Sequence, residues 1–430
     1  MNARKHRETK LSIWPHQVEG GKYVKILQRF VDSIREEDME QGHGNQHLFL
    51  DDVFIAYLLA FYNSSIRSLR TIEDFSQTVQ GQRSLSVRKI CKSTLSDFNK
   101  LADPKRLEPL LAALRADLAR KQPQKTGPKN DLARLLEQAV AVDGTFFPAL
   151  SNVAWAIQYR NQHSKQKHRA RVDTMLDIST GLPETMVVPE PKQGEADAAI
   201  EQLKAGKLYL FDRGYNSLPL IAAHYEFPAK RPPKMQSQFV MRLKGESRGT
   251  IGLEVVQELS INEADRNAGV VSDRVVRLNS EKSNRLGLQN IELREVIIEY
   301  EEAGETKQLR LLTNLFDVPA EVIGQLYRYR WQVELFFRWL KSYGNFRHLI
   351  SQTKEGLQLN LYVAIIGIML MYLHTGYRPS KYMFALLEGV AMGNGSLESI
   401  MPILKERERQ CEVARKSTAK RNAKKKSASQ

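Results

Sequence analysis

The sequence predicts a mixed α/β protein with helical regions at both ends, and three observations support this class. Apolar residues recur at helical spacing through the first 125 residues. After a Pro- and Gly-containing linker at 122–128, short apolar runs alternate with helical segments in a strand–helix order. One long helical pattern then runs from Pro319 to Tyr343.

Composition restricts the class of protein further. The 430 residues carry 64 Lys and Arg against 49 Asp and Glu, a net charge of +15, which favours a polyanionic partner. Apolar residues make up 42% of the chain, enough for a sizeable core. Two cysteines, Cys91 and Cys411, exclude a disulfide framework and a four-cysteine zinc site.

The sequence also gives an expectation about location. The first residues contain no apolar core of a secretory signal, and the apolar run Leu361–Leu373 is too short to span a bilayer. We therefore expect a cytoplasmic, nucleoid-associated protein without a membrane segment, in which this run forms a buried core or dimer-contact helix.

Residues 1–125 form the first predicted region, which is helical. The segment Ser93–Asp97 is typical of a helix start, and basic residues surround it (Arg83, Arg88, Lys89 and Lys92). A helix-turn-helix-like DNA-binding element is one interpretation, and an ordinary short helix beside basic residues is the other.

The next regions are predicted from strand and helix patterns. Five strand candidates and two short helices define the first part of a core at 130–248, and Val- and Ile-rich alternating segments at 249–315 predict a β-rich insertion. The core continues at 316–350, a helical segment follows at 351–404, and the tail at 405–430 is basic and predicted to be disordered. Such a tail could contact DNA phosphates or could simply be solvated.

Two aspartates stand at the ends of apolar strand runs. Asp143 lies in Val-Asp-Gly-Thr, and Asp212 lies in Phe-Asp-Arg-Gly. A carboxylate at the end of a buried strand is normally costly, which favours a functional role. Taken singly, each also has the simpler interpretation of a turn residue or a local ion pair.

The long helix carries a charged stripe beside its apolar face. Tyr327, Arg330, Glu334 and Lys341 fall within an arc of roughly 60° at 100° per residue, and Arg338 lies at the edge of the same stripe. A solvent-facing helix would place its charges opposite the apolar face. The alternative is a simple surface pair of Arg330 with Glu334, worth about 0.3–0.5 kcal/mol.

Together these residues fit phosphoryl-transfer chemistry. Three carboxylates, Asp143, Asp212 and Glu334, could hold two Mg²⁺ ions, which take oxygen ligands. Two such ions activate a water or a 3′-hydroxyl and stabilise the leaving oxygen. Arg330 and Lys341 could then hold a phosphate through charge-assisted hydrogen bonds.

These motifs resemble those of the IS4 family of bacterial insertion-sequence transposases. That family has a first Asp in an Asp-Gly-Thr-like strand end, a second in Asp-Arg-Gly-Tyr, and the pattern Tyr-x2-Arg-x3-Glu-x6-Lys. Tyr327, Arg330, Glu334 and Lys341 match every spacing of that pattern. The resemblance covers roughly residues 50–390.

The resemblance carries specific expectations. It implies an RNase H-like catalytic core interrupted by a β-rich insertion, with Asp143, Asp212 and Glu334 as catalytic metal ligands. It implies that Tyr327, Arg330 and Lys341 contact transposon-end DNA. It further implies two Mg²⁺ ions, replaceable by Mn²⁺, and a homodimer that binds double-stranded DNA, cuts at the transposon ends and joins the 3′-hydroxyls to target DNA.

One feature departs from well-studied members of the family, which stack a flipped base on a tryptophan of the insertion during a hairpin step. This chain has no Trp from Gly214 to Tyr329. Tyr300 or Trp331 could stack a base instead. The sequence therefore leaves the hairpin step open.

Several weaker candidates complete the sequence evidence. The segment Tyr159–Arg171 is predicted to form a basic loop or hairpin tip in which Lys165, Lys167 and Arg169 contact the DNA backbone; a solvated loop is the alternative. Asp173 and Asp177 are interpreted as strand-face residues. The chain has no GxxxxGK[ST] motif, so no ATP requirement is expected.

Other functions remain possible at this point. The same core could belong to a metal-dependent nuclease without strand transfer, or to a catalytically silent DNA-binding relative. A basic enzyme unrelated to nucleic acid is a third possibility, and a flat salt dependence of DNA binding would favour it.

Overall fold

The computed structural model describes most of the chain in two compact units. One comprises residues 1–124 and 339–430, and the other comprises residues 125–338. The described residues are 21–41, 48–63, 65–66, 68–79, 81–82, 89–121, 130–148, 157–159, 167–190, 192–228, 232–245, 251–302, 304–343, 351, 353–377, 380–391 and 397–427.

Fifteen α-helices lie within these described ranges. In chain order they are α1 (Gly21–Gln41), α2 (Leu50–Tyr62), α3 (Leu69–Ser76), α4 (Lys92–Leu101), α5 (Glu108–Lys121), α6 (Asp131–Leu136), α7 (Glu195–Ile200), α8 (Leu218–Ala222), α9 (Glu263–Asn267), α10 (Glu281–Arg285), α11 (Ala320–Arg328), α12 (Trp331–Tyr343), α13 (Lys354–Thr375), α14 (Lys381–Ala391) and α15 (Leu397–Ser427). Short 3₁₀ turns occupy Pro104–Leu107, Arg213–Tyr215 and Leu288–Asn290.

Twelve strands are present in the same part of the chain. They are β1 (Ala139–Pro148), β2 (Ile157–Tyr159), β3 (Lys167–Asp177), β4 (Leu182–Val187), β5 (Leu208–Phe211), β6 (Tyr225–Glu226), β7 (Lys234–Met235), β8 (Gln238–Arg242), β9 (Leu253–Glu258), β10 (Val270–Leu278), β11 (Leu293–Glu302) and β12 (Glu305–Thr313). Apart from the small β6–β7 pair, all belong to one mixed sheet.

Helix α13 is the centre of the helical unit. It is nearly continuously apolar, and Tyr62 donates from its hydroxyl to the backbone carbonyl of Gly367 at 2.8 Å. Among the described helices it alone is long and apolar enough to cross a membrane, and 83% of its most apolar window is buried. The buried location agrees with the prediction of a buried helix for Leu361–Leu373, but the helix extends beyond this run, so the argument that it is too short to span a bilayer was wrong.

The second unit is organised by the order of its sheet, β2-β3-β1-β5-β8-β12-β11-β10-β9, with β4 also paired to β3. β1 is antiparallel to β3 and parallel to β5, and β5 is parallel to β8. The parallel centre is apolar on both faces, as expected for covered strands, and all four residues of β5 are buried.

The predicted β-rich insertion does contain strands, but they extend the core sheet. Strand β12 returns to pair antiparallel with β8, where Thr313 lies opposite Val240, and β9 to β11 continue outward from it. The region 249–315 is therefore continuous with the core by backbone hydrogen bonding.

The prediction of one helix from Pro319 to Tyr343 is wrong. Two helices, α11 and α12, are separated by a turn at Tyr329–Arg330. At this turn the N–H of Tyr329 donates to the carbonyl of Leu326, and the N–H of Arg330 donates to that of Tyr327. These i to i+3 bonds tighten the chain and interrupt the helix, although neither Pro nor Gly is present.

The prediction of a disordered tail also differs from the structure, in which α15 continues to Ser427. Arg409 donates two hydrogen bonds of 2.8 Å to Glu406, and Arg407 lies 4.9 Å from the centre of the Tyr382 ring. Alternation of acidic and basic residues at i+3 favours the helix at its start.

Candidate active site

Adjacent parallel strands bring the first two predicted carboxylates together. Val142 of β1 lies opposite Phe211 of β5, so Asp143 and Asp212 occupy the next position on each chain. Both side chains are half-buried. The N–H of Gly144 donates to Oδ1 of Asp143 at 2.9 Å. The sheet therefore presents two carboxylates side by side.

The turn between α11 and α12 connects the third carboxylate to these two. The Tyr327 hydroxyl donates to Oδ1 of Asp212 at 3.4 Å. Arg330 donates from Nη2 to Glu334, and its Nη1 lies 3.6 Å from Oδ2 of Asp143. Tyr327 thus contacts Asp212, Arg330 contacts Asp143, and Glu334 is connected to Asp143 through Arg330, although the helix that carries them is broken.

Burial and mutual repulsion shape the electrostatics of the site. Burial raises the pKa of Asp143 to about 6, Arg330 and the Gly144 N–H oppose this rise, and the negative charges of Glu334 and Asp212 add to it. Burial also raises the pKa of Tyr327, so its hydroxyl keeps its proton at neutral pH. The charges of Glu334 and Asp212 thus act on Asp143, and a cation near these carboxylates would be favoured.

The donor set can be compared with what a divalent metal requires. Asp143, Asp212 and Glu334 offer only oxygen ligands, and a bound cation would oppose both the burial and the repulsion from Glu334 and Asp212 that raise the pKa of Asp143. Across the described ranges, no three His, Cys, Asp or Glu side chains converge closely enough to hold a metal ion as they stand. The three carboxylates fit Mg²⁺ in donor type and charge, and the Arg330 guanidinium lies between two of them.

The remaining predicted DNA contacts lie outside this cluster or outside the described residues. Lys165 lies outside the described residues, Lys167 begins strand β3, and Arg169 is half-buried on that strand. Arg338 is exposed on α12, and Lys341 lies in the same helix two turns after Glu334 and is half-buried. Residues 167–171, predicted to belong to a loop, form the start of β3.

Sequence reasoning missed several residues around the site. Arg242 ends strand β8, and its charge acts on Tyr327. Asn216 fixes the loop after Asp212 to the end of β8, because its amide donates to the Arg242 carbonyl and accepts from the Lys244 N–H. These contacts depend on strand order, for which the local sequence carries no signal.

A buried ion pair lies on strand β3, which pairs with the strand that carries Asp143. Asp173, interpreted from sequence as a strand-face residue, is buried in an ion pair with Arg171, whose Nε lies 3.0 Å from Oδ1. Asp173 faces Gly144 across the β1–β3 pair. Arg171 is thus a buried partner of Asp173, and it does not belong to the basic loop in which the sequence placed it.

Comparison with known proteins defines the class to which this fold and site belong. Residues 134–370, more than half of the chain, match the family model of the transposase DDE domain. The protein belongs to this family of transposases. The matched region includes Asp143, Asp212 and Glu334, and the resemblance predicted from the motifs is confirmed.

Individual relatives are named as transposases, two of them for insertion sequence elements. It is 32% identical over 232 residues to the y4zB protein of Sinorhizobium fredii, which is named as a transposase; the match covers 54% of this chain and 59% of that protein. It is 40% identical over 65 residues to a Geobacillus stearothermophilus protein named as a transposase for insertion sequence element IS5377, covering 15% of this chain and 17% of the relative.

Two further similarities extend over more of the chain. A Synechocystis protein named as a transposase for insertion sequence element IS4SA is 24% identical over 294 residues, 65% of this chain and 71% of the relative. A cryo-EM structure of piggyBac transposase in a synaptic complex with hairpin DNA aligns with 89% of this chain and 79% of that chain, at 11% identity and a TM-score of 0.41.

Proposed function

We propose that this protein binds the ends of an insertion sequence, cleaves the DNA there and joins the 3′-hydroxyl ends to target DNA. One observation carries the proposal: Asp143 and Asp212 stand at the same level of adjacent parallel strands, and Arg330 connects Asp143 to Glu334. The strand order β4-β3-β1-β5-β8 supports an RNase H-like core.

Three carboxylates would hold the metal. Asp143, Asp212 and Glu334 would bind two Mg²⁺ ions, or Mn²⁺ in their place, because their oxygen donors suit these cations. When bound, the ions supply activation of a water or 3′-hydroxyl and stabilisation of the leaving oxygen.

The other residues of the site would position Asp212 and bind the phosphates of the DNA. Tyr327 holds Asp212 through its hydroxyl, and its protonated state at neutral pH keeps it a donor. Arg330, Lys341 and Arg338 supply positive charge for phosphates of the transposon end. Once the carboxylates are neutralised, Arg330 is free to turn from Asp143 to a phosphate.

The basic composition supports DNA as the partner. The net charge of +15 favours a polyanion, and the N-terminal helices and the β3 residues Lys167 and Arg169 add possible backbone contacts. Since two ends must be joined in one reaction, we propose a homodimer on DNA, acting in the cytoplasm at the nucleoid and without ATP.

A plasmid cleavage assay tests this function. A supercoiled plasmid carrying the DNA that flanks the coding region is incubated with wild type or Asp143→Ala, in Mg²⁺ or EDTA. Asp131→Ala is the matched control, because that side chain lies on the surface in α6. We expect metal-dependent cuts at the element ends that Asp143→Ala abolishes and Asp131→Ala retains.

The reaction products distinguish a transposase from a nuclease and from a silent DNA-binding relative. Joined products show strand transfer, whereas cuts without joining indicate a nuclease. Binding without cutting in any metal indicates a silent DNA-binding relative and contradicts the proposed function.

A further inference from the structure

The carboxylate of Glu195 lies between the two glycines that follow the catalytic aspartates. A Cβ placed on Gly144 would lie 3.4 Å from Oε1 of Glu195, and a Cβ on Gly214 would lie 3.4 Å from its Oε2. Gly144 directly follows Asp143, and Gly214 lies two residues after Asp212. A Cβ at either glycine would therefore be in van der Waals contact with the same carboxylate, which lies beside the segments that follow both aspartates.

The start of helix α7 is anchored so that Glu195 keeps this position. Glu195 is the first residue of α7, and Arg171 donates from Nη2 to the preceding carbonyl, that of Gly194, at 3.4 Å. Arg171 is itself held by Asp173, at 3.1 Å from Nη2 to Oδ2. Both side chains are buried, so the anchor is shielded from solvent.

The side chain of Tyr215 carries a buried polar group on which the charge of Glu195 acts. Tyr215 is 2% exposed, and among the described residues its hydroxyl has no hydrogen-bond partner. The charges that act on it most are those of Asp173, Glu195 and Asp143. An unpaired buried hydroxyl costs about 1–3 kcal/mol, so its retention calls for a compensating function.

Glycine at position 144 is consistent with this close packing. A Cβ there would also lie 3.0 Å from Oδ1 of Asp173, tighter than ordinary contact. A side chain at position 144 would thus crowd both Asp173 and Glu195, and glycine leaves room for these two carboxylates beside the segment that follows Asp143.

We propose that Glu195 is a positioning residue that fixes the separation of Asp143 and Asp212, with the Tyr215 hydroxyl available to hold its carboxylate. The inference rests on the proposed function, since it concerns how these aspartates are set for cleavage. In this proposal Glu195 acts through the segments at Gly144 and Gly214.

Four variants test the proposal in the full-length protein. Glu195→Ala removes the side chain, Glu195→Gln keeps its length, and Tyr215→Phe removes only the hydroxyl. Glu201→Ala is the matched control, an exposed glutamate directly after the same helix. For each we would measure the single-turnover cleavage rate, the affinity for end DNA in EDTA, the melting temperature, and the rise of that temperature with Mg²⁺.

The expected results distinguish a positioning role of Glu195 from a contribution to folding. Misplacement of reacting groups is costly, so Glu195→Ala should cleave at least about tenfold more slowly and show a smaller Mg²⁺-induced rise in melting temperature. Its affinity for end DNA in EDTA should stay unchanged, and Glu195→Gln should restore most of the rate. Tyr215→Phe should cleave more slowly, because Glu195 loses the hydroxyl proposed to hold its carboxylate.

Several results would overturn the inference. Cleavage by Glu195→Ala at the wild-type rate would do so, as would a Glu195→Gln variant as slow as Glu195→Ala. So would a loss of DNA binding or of melting temperature large enough to account for the slower rate. If wild type itself fails to cleave, the proposed function fails and the inference fails with it, whereas an active wild type with an equally active Glu195→Ala removes only the inference.

Discussion

Nη1 of Arg330 lies 3.6 Å from Oδ2 of Asp143, and the other terminal nitrogen of the same guanidinium donates to Glu334. Arg330 is thus the positive charge that connects a strand carboxylate to a helix carboxylate. Its side chain is 10% exposed, so this charge is only weakly screened by solvent. A bound metal would supply the same compensation to the same carboxylates.

Replacement of Arg330 should therefore lower the free energy of unfolding more without Mg²⁺ than with it. Arg330→Met leaves Asp143 and Glu334 without their cation, and we expect a loss of about 1–3 kcal/mol in unfolding free energy in EDTA. Mg²⁺ should recover more stability in this variant than in wild type. Chemical denaturation with and without Mg²⁺ measures both quantities, and an equal Mg²⁺ effect in both proteins would contradict the idea that Arg330 and metal compensate the same charges.

Glu334→Gln should separate DNA binding from cleavage. The change keeps the size of the side chain and removes the charge that a metal would need, so end-DNA affinity should remain while cleavage is lost. Glu321→Gln is the control, a half-buried glutamate on the preceding helix. Gel-shift and plasmid assays check this, and near-normal cleavage by Glu334→Gln would remove Glu334 from the site.

The sequence indicated which side chains would lie together in the candidate site, because each of them is marked by a local pattern. Asp143 and Asp212 each follow a short apolar run, and parallel neighbouring strands place such positions side by side. The spacing from Tyr327 to Glu334 also predicted that these side chains lie near one another. Tyr327 contacts Asp212 and Arg330 contacts Asp143 in spite of the break at Tyr329–Arg330, which neither Pro nor Gly marks.

Other parts of the site depended on tertiary pairing. The contact of Asp173 with Gly144 follows from the register of β1 against β3, and the approach of Glu195 to Gly214 follows from the placement of a six-residue helix. Neither is visible as periodicity or spacing. The extent of α15 also escaped prediction, since a chain rich in Lys and Arg is typical of disorder as well as of an exposed helix.

The basic part of α15 should contribute to the salt dependence of DNA binding. Ten Lys and Arg against three Glu lie between residues 405 and 426. Each phosphate neutralised adds about −0.9 to the slope of log K against log salt, so truncation after Leu404 should make the slope shallower by about three or more if four of these residues contact DNA. Fluorescence anisotropy across a salt series measures the slope. The double change Lys282→Ala and Arg285→Ala, on helix α10, is the control, and an unchanged slope after truncation would show that the helix is only solvated.

The buried pair of Arg294 with Asp273 should stabilise the extended sheet. Two hydrogen bonds of 2.8 and 2.7 Å join them, and Arg294 also donates to the carbonyl of Val318, just before α11. Asp273→Ala alone leaves a buried guanidinium and should cost about 3–5 kcal/mol, whereas Asp273→Leu with Arg294→Met should recover much of that loss.

A matched surface pair provides the comparison for this network. Arg277 and Glu292 also lie on β10 and next to β11, but their side chains are 45% and 47% exposed. Removal of that pair should cost less than about 1 kcal/mol. Urea denaturation of the variants measures these differences, and equal effects at the two sites would contradict the role assigned to burial.

His224 should make stability depend on pH in the acid range. The imidazole is fully buried, Nδ1 lies 2.7 Å from Oγ of Ser237, and the Phe239 ring lies 4.8 Å away. Burial lowers the pKa of His224 to about 3, whereas the unfolded chain has an imidazole pKa of about 6.5. The folded state therefore binds fewer protons, and the stability from neutral His224 is present above pH 6.5 and is lost as pH falls toward 3.

Between pH 7 and pH 5 this linkage should lower the free energy of unfolding by about 2 kcal/mol, and His224→Phe should lack that share of the decrease. Asp143 and Asp173 have pKa values raised to about 6, so their protonation increases the free energy of unfolding as pH falls through this range. Because they titrate in both wild type and His224→Phe, their contribution cancels in the comparison. The slope between pH 8 and pH 7, where His224 is mostly neutral in both states, should be nearly the same for both proteins and serves as the control. Urea denaturation at each pH measures the difference, and parallel curves down to pH 5 would show that His224 accepts a proton in the folded state.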